Sequence, residues 1–156
     1  MPQRYWLMKC EPAAYTIDDL ERDRSTSWEG VRNYQARNFM RDQMRVGDGV
    51  LFYHSSCPQP GIAGLAEVVS GPRPDDTQFD PDSPYYDSAS TREKPRWVNV
   101  DVKVLRKTRL VGLDELRAHP ELADMVVLRR GNRLSITPVT DAEWKYIVER
   151  LLPERS

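Results

Sequence analysis

Residues 54–57 read His54-Ser55-Ser56-Cys57, a base, two hydroxyls and a thiol in consecutive positions. The chemistry this suggests is nucleophilic catalysis, in which an imidazole takes a proton from an oxygen or sulfur that then attacks. The spacing works against it. Neighbours on an extended strand point to opposite faces, and the only other histidine, His119, falls at an expected helix end. A strand ending in a turn accounts for the same residues. Other enzymatic templates are missing: the sequence has no Gly-x-Ser-x-Gly elbow, glycine-rich phosphate loop, His-Glu-x-x-His pair or zinc-deaminase signature. A small-nucleotide hydrolase using His54 with a carboxylate remains a competing reading. So does a module that binds a small molecule without turning it over.

A second cluster runs Trp28-Glu29-Gly30-Val31-Arg32-Asn33-Tyr34-Gln35-Ala36-Arg37-Asn38. Here an aromatic ring, amide side chains and an expected helix start converge. A Trp face can stack on a planar base, amides can read its polar edge, and a helix start with Arg32 can attract phosphate. The same residues also read as ordinary structure, with Asn33 as a helix N-cap and Trp28 in the core. Residue types alone lean slightly toward that second reading. Arg37, Arg41 and Arg45 recur every fourth residue, the spacing of a solvated helix edge. Arg129, Arg130 and Arg133 surround a Gly-Asn turn, where exposed cations could grip a nucleic-acid backbone. Gly61 and Gly64 mark either a bulge or a close approach of backbone or ligand.

The elements that would position these groups follow from periodicity. Tyr5–Lys9 is a short apolar run read as a buried strand. Thr16 with Asp19 starts a helix in capping-box style, and 25–30 reads as a loop. A helical period spans Asn33–Arg45, with Ala36, Phe39, Met40 and Met44 on one stripe and Gly47 as the stop. Gly49–His54 and Ile62–Val69 read as strands, and Trp97–Leu105 alternates as a third. Gly71–Pro95, rich in Pro and Asp, reads as a long irregular loop, the kind that is usually functional or mobile. Leu113–His119 is a short helix before Pro120. Met125–Leu128 and Leu134–Thr137 read as short strands. Thr140 and Glu143 form a full capping box for a last helix that carries Trp144, Ile147, Val148, Leu151 and Leu152 on its apolar side.

Strands and helices mix without a regular alternation, so the expected class is α+β around a small curved sheet or barrel, as one domain over 1–156. The 156 residues suit a single core. The net charge of −1 argues against a protein that coats DNA through many phosphate contacts, though not against a local basic patch. Two cysteines without metal-ligand spacing, and no long apolar stretch, lead to the expectation of a soluble intracellular protein without metal or cofactor.

Several blocks carry a family resemblance: Tyr5-Trp6-Leu7-Met8-Lys9-Cys10-Glu11-Pro12, Trp28 through Asn38, Phe52–Cys57 followed by Pro60–Gly64, and Arg133-Leu134-Ser135-Ile136 followed by Pro138-Val139-Thr140. In this order they resemble the EVE domain family, with Cys10 standing where Ser is expected. The resemblance implies a PUA-like fold, a curved, barrel-like sheet flanked by helices, and more distantly a likeness to the YTH domain, a reader of methylated adenine. It implies a non-catalytic reader of a modified base, notably modified cytosine in DNA, with RNA left open. Carried over, Trp28 would stack on the base while Asn33 and Asn38 bond its edge. Val31 and Ala36 would line the side facing a methyl group. Tyr53, His54 and Ser55 would face them, with Gly61, Ile62 and Gly64 admitting backbone groups. Trp97, with Tyr85 and Tyr86, would supply a second wall. Lys9, Arg32, Arg129, Arg130 and Arg133 would meet the nucleic-acid backbone. The partner implied is nucleic acid with a modified base, bound by a monomer, without membrane or metal, in the cytoplasm or, in a eukaryote, the nucleus.

Overall fold

The computed structural model describes residues 3–152. Eight strands follow in chain order: β1 (Tyr5–Cys10), β2 (Ser25–Ser27), β3 (Gly49–His54), β4 (Gly61–Val68), β5 (Arg73–Pro74), β6 (Val98–Asn99), β7 (Asp101–Gly112) and β8 (Ile136–Val139). Six of them form one sheet in the order β2-β7-β4-β3-β1-β8, and β5 and β6 pair separately. Only β1 and β3 run parallel; the other pairs are antiparallel. Register shifts at Phe52/Tyr53, Ile62/Gly64 and Leu65/Ala66 interrupt the ladders on either side of β4. Each inserts a bulge that bends the strand and raises its twist, which curls the sheet.

The central strands are apolar on both sides because both faces of the sheet are covered. Trp6, Met8, Val50, Phe52, Ala66, Val100 and Val102 pack on one face with α1 (Ile17–Asp23) and α2 (Tyr34–Asn38). Leu7, Leu51, Tyr53, Ile62, Leu65 and Val111 face the other way, against Leu116 of α3 (Leu113–Arg117) and Ile147 and Leu151. Those last two follow α4 (Asp141–Tyr146) in a π-helical turn, Ile147–Leu151. Both expected capping boxes form, at Thr16/Asp19 and Thr140/Glu143. Asn33 caps α2 through its side-chain oxygen on the Ala36 N–H.

Four expectations need correction. Ser25–Ser27, expected in a loop, pairs with β7 as an edge strand, a placement that three small polar residues cannot announce. Met125–Leu128, expected as a strand, is a 3₁₀ turn over Val126–Leu128 that buries Val127. Apolar runs this short do not separate the two states. The helix expected over Asn33–Arg45 ends in a π-helical turn, Phe39–Gln43, and Met44 is already extended. The strand expected over Trp97–Leu105 divides at Val100: Val98–Asn99 pairs with β5, and β7 runs on to Gly112.

The long 71–95 segment is tied down rather than free. Buried Gln78 donates to the Asp75 and Trp97 carbonyls, while its Oε1 accepts from the Trp97 N–H and the Ser90 hydroxyl. One side chain thereby closes a loop whose composition signals irregularity.

Candidate nucleic-acid interface

Because β1 and β3 are parallel with Cys10 opposite His54, the chain leaves both strands on the same rim of the sheet. The Ser55 N–H bonds the Cys10 carbonyl at 2.9 Å, and the Lys9 N–H bonds the Ser135 carbonyl at 2.8 Å. These bonds bring together the ends of β1 and β3 and the approach to β8. The Trp28 N–H bonds the Val100 carbonyl, which anchors the 28–33 segment at the start of β7, and the curl of the sheet brings that segment to the Cys10/His54 rim. A cavity of about 880 Å³ opens there, with Lys9, Cys10, Trp28, Gly30, Val31, Arg32, Asn33, Ser55, Tyr85 and Arg133 in its wall. Its size falls within the range of small-ligand sites.

Gly30 has φ +83°, a left-handed conformation that glycine adopts without strain. It also leaves room for a ring: a Cβ there would lie 2.6 Å from Tyr85 Cζ. The Gly30 N–H donates to Asp75 Oδ2 at 2.8 Å. Asp75 is fully buried and accepts as well from Arg32 and from the Thr77 N–H and hydroxyl. Arg32 completes the tie: it donates from Nε and Nη2 to the Tyr85 carbonyl, from Nη1 to the Val31 carbonyl and Asp75, and from Nη2 to Thr77 Oγ1. Nothing in the sequence singled out Asp75. It sits in an Asp-rich stretch where every carboxylate looks alike.

The electrostatics of the wall are uneven. Lys9 is half buried and has no ion-pair or hydrogen-bond partner for its ammonium among the described residues; burial pulls its pKa below the ordinary lysine value. The exposed Arg133 side chain is likewise unpaired among the described residues. Burial, then the charges of Glu11 and Asp19, push the Cys10 thiol up to about 11, and its Sγ donates to the Tyr15 carbonyl at 3.2 Å. It stays a neutral thiol, not a nucleophile. Burial, then the nearby Asp75 and Asp76 charges, also raise the Glu29 carboxyl.

Of the residues singled out in the sequence, Trp28, Val31, Asn33, Ser55, Tyr85, Lys9, Arg32 and Arg133 share this cavity wall. Arg32 is there in a different capacity: all five of its N–H donors are engaged within the protein, which leaves none for a phosphate. Trp28 is only 7% exposed and meets Phe52 edge-on at 5.5 Å, so most of its ring surface belongs to the core. Ala36 lies in that core too, and the Asn38 oxygen is held by Arg37. Tyr53 and Ile62 point into the opposite core. Gly61 presses on the β7 backbone, where a Cβ would lie 2.9 Å from Gly112 Cα; Gly64 is covered by Ile17. Both glycines serve strand and helix packing. Trp97 lies under Tyr34, stacked at 4.8 Å, and not in the cavity wall. Arg129 and Arg130 are exposed and also outside it.

His54 faces α1. Its Nε2 accepts the Ile17 N–H at 3.1 Å, and its ring sits edge-on to Phe52. That nitrogen has no lone pair left to act as a general base. Burial lowers the imidazole pKa below 6.5, with Asp18 opposing and Lys107 reinforcing the shift. When pH falls, the unfolded chain takes up this proton first, so the stabilisation is complete above pH 6.5 and fades as pH drops through the unfolded and then the folded value. The urea midpoint of the wild type is therefore expected to fall between pH 7.5 and 5, and His54→Gln to remove part of that fall. An equal pH slope in the variant would assign the titration elsewhere.

Among the described residues there is no His, Cys, Asp and Glu cluster able to hold a metal, and no helix long and apolar enough to cross a membrane. A six-stranded curved sheet flanked by short helices, with a cavity at the rim of its parallel pair, is a PUA-like architecture. The chain belongs to the EVE domain family, whose pattern matches residues 4–150. Human thymocyte nuclear protein 1 is 40% identical over 92% of this chain and 72% of its own length. A solved structure of a Leishmania major hypothetical protein is similar with TM-score 0.91 at 46% identity, covering 95% of this chain and 94% of that one. The human THYN1 protein, solved in complex with 5-methylcytosine-containing DNA, is similar with TM-score 0.89 at 39% identity, over 97% of this chain and all of that one.

Proposed function

We propose that this chain is a non-catalytic reader of 5-methylcytosine in DNA, and that the rim cavity takes the methylated base. The observation that carries the reading is the human relative captured with 5-methylcytosine-containing DNA, alike over 97% of this chain. The cavity supports it chemically. Tyr85, 40% exposed and seated on Gly30, offers a ring face for stacking. Val31 supplies apolar wall for a methyl group, and the Asn33 NH₂ is unpartnered among the described residues and suited to a base carbonyl. Lys9 and Arg133 supply positive charge for the phosphate backbone.

The test is a titration of short DNA strands, single and double, that differ only in cytosine against 5-methylcytosine, with RNA counterparts. Saturable binding to DNA is expected, with the methylated strand favoured several-fold. One buried methyl is worth about 0.8 kcal/mol, so stacking and edge bonds carry most of the affinity and the methyl a modest preference. Equal binding of methylated and unmethylated strands would overturn the modified-base reading. A preference for RNA would overturn the choice of polymer.

A further inference from the structure

From the cavity wall outward, cationic and aromatic side chains form a continuous series. The Arg32 guanidinium lies 5.7 Å from the Tyr85 ring centre and 5.4 Å from that of Trp97. Tyr34 stacks on Trp97 at 4.8 Å with 25° between the planes. Arg37 lies 4.7 Å from Tyr34 and 5.9 Å from Trp97. These distances fix where Arg37 is. A group so close to both stacked rings sits beside the stacked pair rather than beyond Tyr34, and Tyr34 itself stays 51% exposed.

A lone exposed tyrosine is ordinary. This one is held in place from beneath. Trp97 is buried, and its Nε1–H donates to Asp87 at 2.7 Å. Arg37 is in turn fixed by the Arg96 carbonyl and the Asn38 side chain. The result is a rigid ring flanked by a cation, a combination that suits single strands, in which bases stack on aromatics and phosphates follow positive charge. The series is also continuous with the cavity: Tyr85 and Arg32 belong to its wall, and Tyr34 directly follows Asn33, which does too.

We propose that Tyr34 is a second stacking platform, occupied by a nucleotide next to the base in the cavity on the same strand. The inference rests on the reading of the cavity as a base site. It means that the protein prefers a strand to a free nucleotide, and that the preference is located at Tyr34.

The probes are 5-methyldeoxycytidine monophosphate and a single-stranded DNA pentanucleotide with central 5-methylcytosine or central cytosine, titrated against the full chain. The wild type is expected to favour the pentanucleotide. Tyr34→Ala is expected to weaken pentanucleotide binding about tenfold and leave the mononucleotide unchanged, while Tyr34→Phe keeps both. Tyr34→Ala binding the pentanucleotide as the wild type does would overturn the platform. So would an equal loss on both probes, which would mean that Tyr34 acts through the cavity. The outcomes separate the two readings: a wild type indifferent to methylation, with a Tyr34→Ala loss on methylated and unmethylated strands alike, would sink the modified-base reading and leave the platform standing.

Discussion

Asp75→Asn is expected to lower folding stability by about 3 kcal/mol, the low end of what breaking a buried ion pair costs, because Arg32 keeps some solvent contact. The carboxylate is fully buried and receives hydrogen bonds on both oxygens: Gly30 and Arg32 on Oδ2, Thr77 twice on Oδ1. An asparagine can offer an oxygen to only one of these sides. Its NH₂ would face donors on the other, and the positive charge of Arg32 would lose its counter-ion. The damage should reach the cavity, since Gly30, Arg32 and Tyr85 are tied through this one group. Urea denaturation reads the stability, and DNA titration below the transition reads the site. A third readout is local: Asp75 is one of the charges raising the Glu29 carboxyl, so the variant should let that group titrate nearer its ordinary value. An unchanged urea midpoint would show that the Tyr85 and Val31 carbonyls and the Thr77 hydroxyl suffice to hold Arg32.

Much of this protein is legible in its sequence where one local signal and the tertiary context agree. Thr16/Asp19 and Thr140/Glu143 announce helix starts that form as read. The apolar runs of β1, β3 and β4 announce buried strands, and the alternation of Val100 with Val102 on one face survives in the core. What sequence cannot supply is the partner. Ser25–Ser27 becomes a strand only because β7 offers an edge. Val126–Leu128 is apolar enough for a strand yet forms a 3₁₀ turn that buries Val127. The site shows the same limit. The 28–38 segment is conspicuous as a motif, yet its residues divide three ways: Trp28 and Val31 border core and cavity, Arg32 braces the long loop, and Tyr34 lies on the outside over Trp97. A motif fixes which residues are near one another along the chain. Which face each one presents depends on Gly30, Asp75 and Tyr85, and the last two lie more than forty positions away.

Trp28 shows why that distinction matters for experiment. Truncating it to alanine is expected to cost about 4 kcal/mol, as for other buried aromatic side chains, because the ring is 7% exposed and packs edge-on against Phe52. Lost DNA binding in Trp28→Ala would then report a damaged core as much as a damaged site. Trp28→Phe is the sharper probe. It keeps an aromatic body beside Phe52 and should cost only about 1–2 kcal/mol. It also deletes the indole N–H, which has no hydrogen-bond partner among the described residues although the residue belongs to the cavity wall. Buried Trp6 and Trp97 both have theirs, on Asp48 and Asp87. A donor without a protein partner, on a nearly buried ring at the edge of a cavity, is suited to an acceptor on the ligand. Trp28→Phe is therefore expected to fold and to bind methylated DNA about tenfold more weakly, the value of one hydrogen bond to a polar base edge. Wild-type affinity in a folded Trp28→Phe would reduce Trp28 to apolar wall and leave the stacking to Tyr85.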